Sequence, residues 1–214
     1  MNTPISSAYP ATYDVEFPDR ALDRISTLFR FFAIIPIMIV LVLISRPIIG
    51  PYHPGHVLHA WGLAGGGILF GGPLVMILFR QKYPRWWFDW NLEFMRFSAR
   101  IGVYAALMND RYPSTDEQQT VKLEIRYPDA RADLNRWMPL VKWLLAIPHY
   151  IVLVFLWVAA FICIVIAWFA ILFTGRYPRG LFDFVVSVQR WGIRVTAYAF
   201  FLVTDQYPPF SLAA

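Results

Sequence analysis

One unit of this chain is written twice. Tyr83, Pro84, Arg85, Phe88, Asp89, Arg96, Arg100, Tyr104 and Ala105 return 94 positions later as Tyr177, Pro178, Arg179, Phe182, Asp183, Arg190, Arg194, Tyr198 and Ala199. One further residue of slip brings Asp110, Tyr112 and Pro113 onto Asp205, Tyr207 and Pro208. Duplication of this kind builds a pseudo-two-fold scaffold. It constrains architecture far more than chemistry.

The duplicated unit is membrane-seeking. Apolar residues make up 58% of the 214 and charged residues 15%, against about 25% charged in ordinary globular chains. Mean hydropathy is +0.48. The run from Ile147 to Phe173 holds no Asp, Glu, Lys or Arg and is interrupted only by Pro148 and His149. It exceeds the roughly 20 residues that cross a bilayer. Phe31–Ile44 and Leu63–Phe79 are shorter apolar runs. The first 30 residues have no early apolar core with a cleavage site, so the first apolar helix is expected to remain as an anchor. Cys163, the only cysteine, lies in the longest apolar run, which leaves no intrachain disulfide and no cysteine cluster for a metal.

Each repeat, 1–113 and 114–214, opens with a short alternating strand, Thr12–Phe17 or Thr120–Tyr127, followed by Pro-Asp and a helix start. Helix A follows in both, with Ile-Pro near its middle at Ile35-Pro36 and Ile147-Pro148, where proline removes a backbone donor and bends the helix. Helix B is expected over about 62–80 and 158–174, and helix C over 85–108 and 179–203. The first repeat carries 18 extra residues, assigned to the Pro- and Gly-rich loop 45–62. In the second repeat the A–B hairpin must turn inside apolar sequence near Trp157; one unbroken bent helix is the alternative. With A and B crossing and C not, all 14 acids and every Lys and Arg except Arg46 fall on one side. The excess of Lys and Arg then makes that side cytoplasmic, both termini included.

Asp89, Arg96, Arg100 and Tyr104 share one stripe of helix C, as do Asp183, Arg190, Arg194 and Tyr198. The remainder of each helix is apolar and aromatic, which suits an amphipathic helix lying at the headgroup boundary. Arg96, Arg100, Tyr104, Arg190, Arg194 and Tyr198 are therefore candidates for contact with anionic lipid headgroups or a partner subunit, beside local ion pairing with nearby acids. A net charge of +5 favours an anionic leaflet. Its position beside membrane helices speaks against nucleic acid.

His53, His56 and His59 lie in the extra loop. Their spacing suits a metal or an axial haem contact, but no Asp, Glu or Cys in the loop completes a site. A solvated or interface-forming loop is the plainer expectation, and otherwise no cofactor is expected. Gly67 and Gly71, four apart, permit close helix packing within the chain or against another subunit. No phosphate-binding Gly-rich loop, nucleophile elbow or zinc-protease motif is present.

Four segments carry a resemblance: Leu140–Tyr150, Phe173–Asp183, Arg194–Tyr198 and Thr204–Ser211. Through them the second copy resembles bacterial membrane proteins grouped as domain-of-unknown-function family 4389; the first copy is a degenerate version, with Trp86 in place of a glycine and Met38 in place of Tyr150. The resemblance implies a bacterial multi-pass membrane protein and no activity.

The sequence thus predicts an all-α integral membrane protein of the bacterial inner membrane. It has two pseudo-symmetric repeats, about four transmembrane helices, two interfacial amphipathic helices and two short cytoplasmic strands. Its expected role is a non-catalytic accessory or scaffold subunit in contact with lipids and other membrane-protein subunits. A small transporter or anionic-lipid-binding protein, and a metal- or haem-binding protein using the histidine loop, are the alternatives.

Overall fold

The two alternating segments do form strands, and they pair with each other. In the computed structural model, which describes residues 9–45, 67–115, 117 and 119–213, β1 (Ala11–Val15) lies antiparallel to β2 (Val121–Ile125), with Tyr13 opposite Leu123. Alternation does the work expected of it: Ala11, Tyr13 and Val15 point inward, while Thr12 and Asp14 face out. A two-stranded ribbon is marginal alone, and here α-helices cover its inner face.

The helices described are α1 (Arg24–Ala33), α2 (Ile35–Ser45), α3 (Gly67–Arg80), α4 (Arg85–Ala105), α5 (Met138–Leu145), α6 (Ile147–Thr174) and α7 (Arg179–Ala199). Asp23 caps α1, accepting from the backbone N–H groups of Ile25 and Ser26, so the helix starts later than Pro18-Asp19 suggests. Asp129 likewise caps a turn rather than a helix, accepting from Arg131 N and Ala132 N. The proline breaks fall where the sequence puts them. The helical hydrogen-bond ladder is interrupted at Ile34 and Ala146, one residue ahead of each Ile-Pro, although both residues keep right-handed helical dihedrals, and it resumes with Met38 N donating to Ile34 O and Tyr150 N to Ala146 O.

Two helical stretches are long and apolar enough to cross a membrane, Arg24–Ile44 and Met138–Thr174; Gly71–Arg80 is a shorter apolar helix. The hairpin expected near Trp157 does not form. From Ile151 to Phe173 there is no Gly, Pro, Asn or charged residue, and a turn there would leave backbone groups without partners in apolar surroundings. One helix satisfies them all, and α6 runs about 42 Å at 1.5 Å per residue. It stops at Gly175, whose φ of 73° admits the left-handed turn in which Gly175 N donates to Ile171 O. Gly175 O in turn accepts from Leu22 N at 2.8 Å, holding the end of α6 beside the start of α1.

Helix C was expected to lie on the membrane surface, and here the structure differs. α7 is enclosed: only Arg179, Gly180 and Asp183 of its residues are exposed. It packs along α6 and against β1, while α4 packs against β2 and α2. The apolar and aromatic face that suggested lipid contact is instead the protein core, through Phe182, Val185, Val188 and Trp191 on α7 and Phe88, Met95, Phe97 and Ile101 on α4. Trp86 and Trp90 alone keep an exposed aromatic edge on α4. Both helices begin after a proline, Pro84 or Pro178. Each gives way to a buried leucine with positive φ, Leu107 at 63° and Leu202 at 56°, a conformation that costs about 1–2 kcal/mol.

The small-residue motif also resolves differently. A β-carbon on Gly71 would meet nothing within 4 Å among the described residues, whereas one on Gly72 would overlap the Trp87 indole; Gly67 opens α3. Close approach within the chain thus depends on Gly72. Gly71→Ala should leave the thermal midpoint of the detergent-solubilised protein unchanged or raise stability by up to about 1 kcal/mol through helix propensity. Gly72→Ala should lower it by roughly 1–3 kcal/mol through overpacking against Trp87. Equal midpoints for the two variants would contradict this packing.

Candidate functional site

The arginine stripes are spent inside the protein. Arg96 Nε donates to Leu123 O at 3.0 Å, and Arg190 Nε donates to Tyr13 O at 2.8 Å. Each therefore holds a strand carbonyl, and each holds the strand contributed by the other half of the chain. Their outer nitrogens pair with exposed acids, Arg96 with Glu93 at 2.6 Å and Arg190 with Asp14 at 3.3 Å. Arg100 and Arg194, both 5% exposed, fasten the segments that follow their helices. Arg100 Nη1 donates to Ser114 O and Thr115 O, and Arg194 donates to Ser211 O and Ala213 O. Burial first, then the neighbouring Arg190 charge, pushes the Arg194 guanidinium below its ordinary value. Buried groups engaged in this way do not face a lipid headgroup, which corrects the expectation for Arg100 and Arg194. The helical spacing was right about a shared face and silent about what meets it.

Asp89 and Asp183 lie at the exposed start of their helices and pair with Arg85 and Arg179 one turn earlier, at 3.1 and 3.6 Å. Those arginines also cover rings beyond the strands: Arg85 sits 4.7 Å from the Tyr127 ring centre and Arg179 4.7 Å from that of Phe17. Again each ring belongs to the opposite half.

Tyr104 and Tyr198 are the floors of two buried cation sites that sequence reasoning missed. Arg30 of α1 lies over the Tyr104 ring at 4.0 Å, pairs with Asp110 at 2.8 Å and donates to Asn109 O. Lys142 of α5, wholly buried, lies 5.3 Å from the Tyr198 ring centre, pairs with Asp205 at 2.6 Å and donates to Thr204 O at 2.7 Å. The carboxylates also reach the entry to each apolar helix, Asp110 accepting from Asp23 N and Asp205 from Asn135 N. The signal was present: Arg30 and Lys142 each stand six residues before the proline of Ile-Pro, and both aspartates recur in the duplicated segment. Spacing along one helix cannot pair them, because 80 and 63 residues separate the partners.

His149 is fully buried beside the second of these sites. Its Nδ1 accepts from Trp191 Nε1 at 3.0 Å, its ring stacks on Phe210 at 4.0 Å, and its Nε2 has no hydrogen-bond partner among the described residues. The donated bond fixes the neutral tautomer with hydrogen on Nε2. His53, His56 and His59 lie outside the described residues; among the described ones no His, Cys, Asp and Glu group is arranged to hold a metal ion.

A cation with no exposure must keep its carboxylate. Asp205→Asn should destabilise the protein by about 3–5 kcal/mol, because Lys142 would stay buried without a counter-charge. Adding Lys142→Met, which removes the charge and keeps the length, should restore most of that loss in thermal unfolding. Additive losses in the double variant would show that the two groups are not a coupled pair.

No curated protein and no solved structure matches the chain. A family model described as Domain of unknown function (DUF4389) matches residues 136–211, which supports that family for the part of the chain that runs from the entry to α5, through Lys142, His149 and α7, to the Arg194-bound tail.

Proposed function

We propose that the protein is a non-catalytic scaffold or accessory subunit of a bacterial inner-membrane complex, a tandem duplication with both termini on the cytoplasmic side. The observation that carries this reading is how little the chain covers its own apolar helices. Only 17% of the most apolar window is buried in each of Arg24–Ile44 and Met138–Thr174. Phe29, Phe31, Phe32, Val154, Phe155, Phe161 and Phe173 stand open. Exposed apolar surface of that extent requires lipid or a partner subunit.

The duplication is supported by contacts made twice. Arg30 with Asp110 answers Lys142 with Asp205, and Arg96 on Leu123 O answers Arg190 on Tyr13 O. The conspicuous charged side chains are used to fasten helices, strands and tail to one another, the economy of a scaffold.

Gentle extraction from native membranes followed by native-state mass analysis tests the reading. The expected result is a heavier particle holding a second protein in fixed stoichiometry. Phe155→Ala with Ile162→Ala, on the open face of α6, should release that partner while the chain stays in the membrane fraction. A lone chain, or one that assembles only with itself, overturns the subunit reading.

A further inference from the structure

The described Arg and Lys side chains divide sharply. About half are paired with acids or bonded to neutral oxygens. Four of those without a hydrogen bond or ion pair among the described residues surround one cleft of about 790 Å³. Arg80 and Lys82 form one wall, at the C-terminal end of α3, and Arg126 and Arg131 form the other, between β2 and α5; all four are exposed.

The two acids in the cleft offset only part of this charge, and neither forms an ion pair with the four cations among the described residues. Asp129 Oδ1 accepts from Arg131 N and Ala132 N, and Asp133 Oδ2 accepts from Asp129 N. Both carboxylates thus serve the backbone turn. Arg136 Nη2 donates to Gln81 Oε1 at 3.1 Å, joining the segment that ends α3 to the entry of α5 beside the cleft. The matching positions in the other half carry fewer cations: Arg176 stands for Lys82, but Thr174 stands for Arg80 and Glu16 for Arg126, and the Leu22 N to Gly175 O bond draws that end together.

The surroundings specify the kind of anion. Phe79, 73% exposed, precedes Arg80, and Trp137, 65% exposed, follows Arg136. α3 and α5, which pack together, carry apolar surface away from the cleft. The four cations thus stand next in sequence to exposed apolar side chains of the helices that flank the cleft. Unpaired cations at the foot of an apolar helix attract anionic headgroups. We propose that this cleft binds the phosphate of an anionic phospholipid headgroup, with Arg80, Lys82, Arg126 and Arg131 as its ligands. The proposal rests on membrane insertion and is independent of any partner subunit.

The test uses the full chain in detergent, offered phosphatidylglycerol or phosphatidylcholine, with retained lipid read by native mass spectrometry. The wild type should retain phosphatidylglycerol in preference. Replacing Arg80, Lys82, Arg126 and Arg131 together by Gln should weaken that retention about tenfold or more. A matched variant replacing Arg24, Arg111, Lys122 and Arg176 by Gln, four exposed cations elsewhere whose side chains have no partner among the described residues, should retain lipid like the wild type. Since every substituted side chain is exposed, unchanged thermal midpoints should accompany both variants. Equal retention by the two variants overturns the site. Inorganic phosphate that displaces the lipid from the wild type at comparable concentration overturns the lipid as its source and assigns the cleft to a free anion. Recovery of the wild type in the soluble fraction without detergent would instead defeat the membrane reading itself, a result separable from loss of the site.

Discussion

Two buried cations govern how the apolar helices are held. Taking an ammonium or guanidinium out of water costs several kcal/mol, and the cost is offset only where a carboxylate and further acceptors converge on it. Around Lys142 those acceptors are Asp205, Thr204 O and the Tyr198 ring; around Arg30 they are Asp110, Asn109 O and the Tyr104 ring. All of them lie at or just beyond the end of α4 or α7. A helix displaced by one turn would strand its cation, so the pairs set register more than they add net stability. Each carboxylate also takes a backbone N–H at the entry to the apolar stretch, which joins three points of the chain at one charge.

The second organising contact is an exchange between halves. β1 covers α7 and β2 covers α4, with Arg190 on Tyr13 O and Arg96 on Leu123 O as the fastenings. Arg179 over Phe17 and Arg85 over Tyr127 extend the exchange past the strands. Neither half closes its core without the other's strand, and the two strands pair only when both halves are in place. Such long-range dependence ties the strand pair to α4 and α7 together.

Much of the local structure was legible. The alternation in Thr12–Phe17 identified a strand, Tyr-Pro-Arg marked the start of α4 and α7, and Ile-Pro located both helix breaks, because each is a property of a few neighbouring residues. The family resemblance over the second half was legible too. The Arg stripe was read correctly as one face, and of its possible contacts the local ion pairs are present at Arg96 and Arg190, while Arg100 and Arg194 are buried on carbonyls. An apolar helix with a few arginines has the same pattern whether its aromatic face meets lipid or a protein core. The hairpin near Trp157 was inferred by analogy with the first copy, against local chemistry that offered no residue able to turn the chain. The ion pairs were hidden by distance along the sequence, although their recurrence was not.

Composition and spacing determined which segments are helical, where prolines interrupt them, and that two stretches need neighbours other than water. Backbone hydrogen bonding and side-chain transfer free energy decide those matters locally. Tertiary structure alone decided that Arg100 and Arg194 bind carbonyls, that Arg30 and Lys142 find Asp110 and Asp205, and that Arg80, Lys82, Arg126 and Arg131 are left facing an open cleft. A helix period defines a face, but only packing between distant segments decides which charges that face meets and which stay free for a ligand.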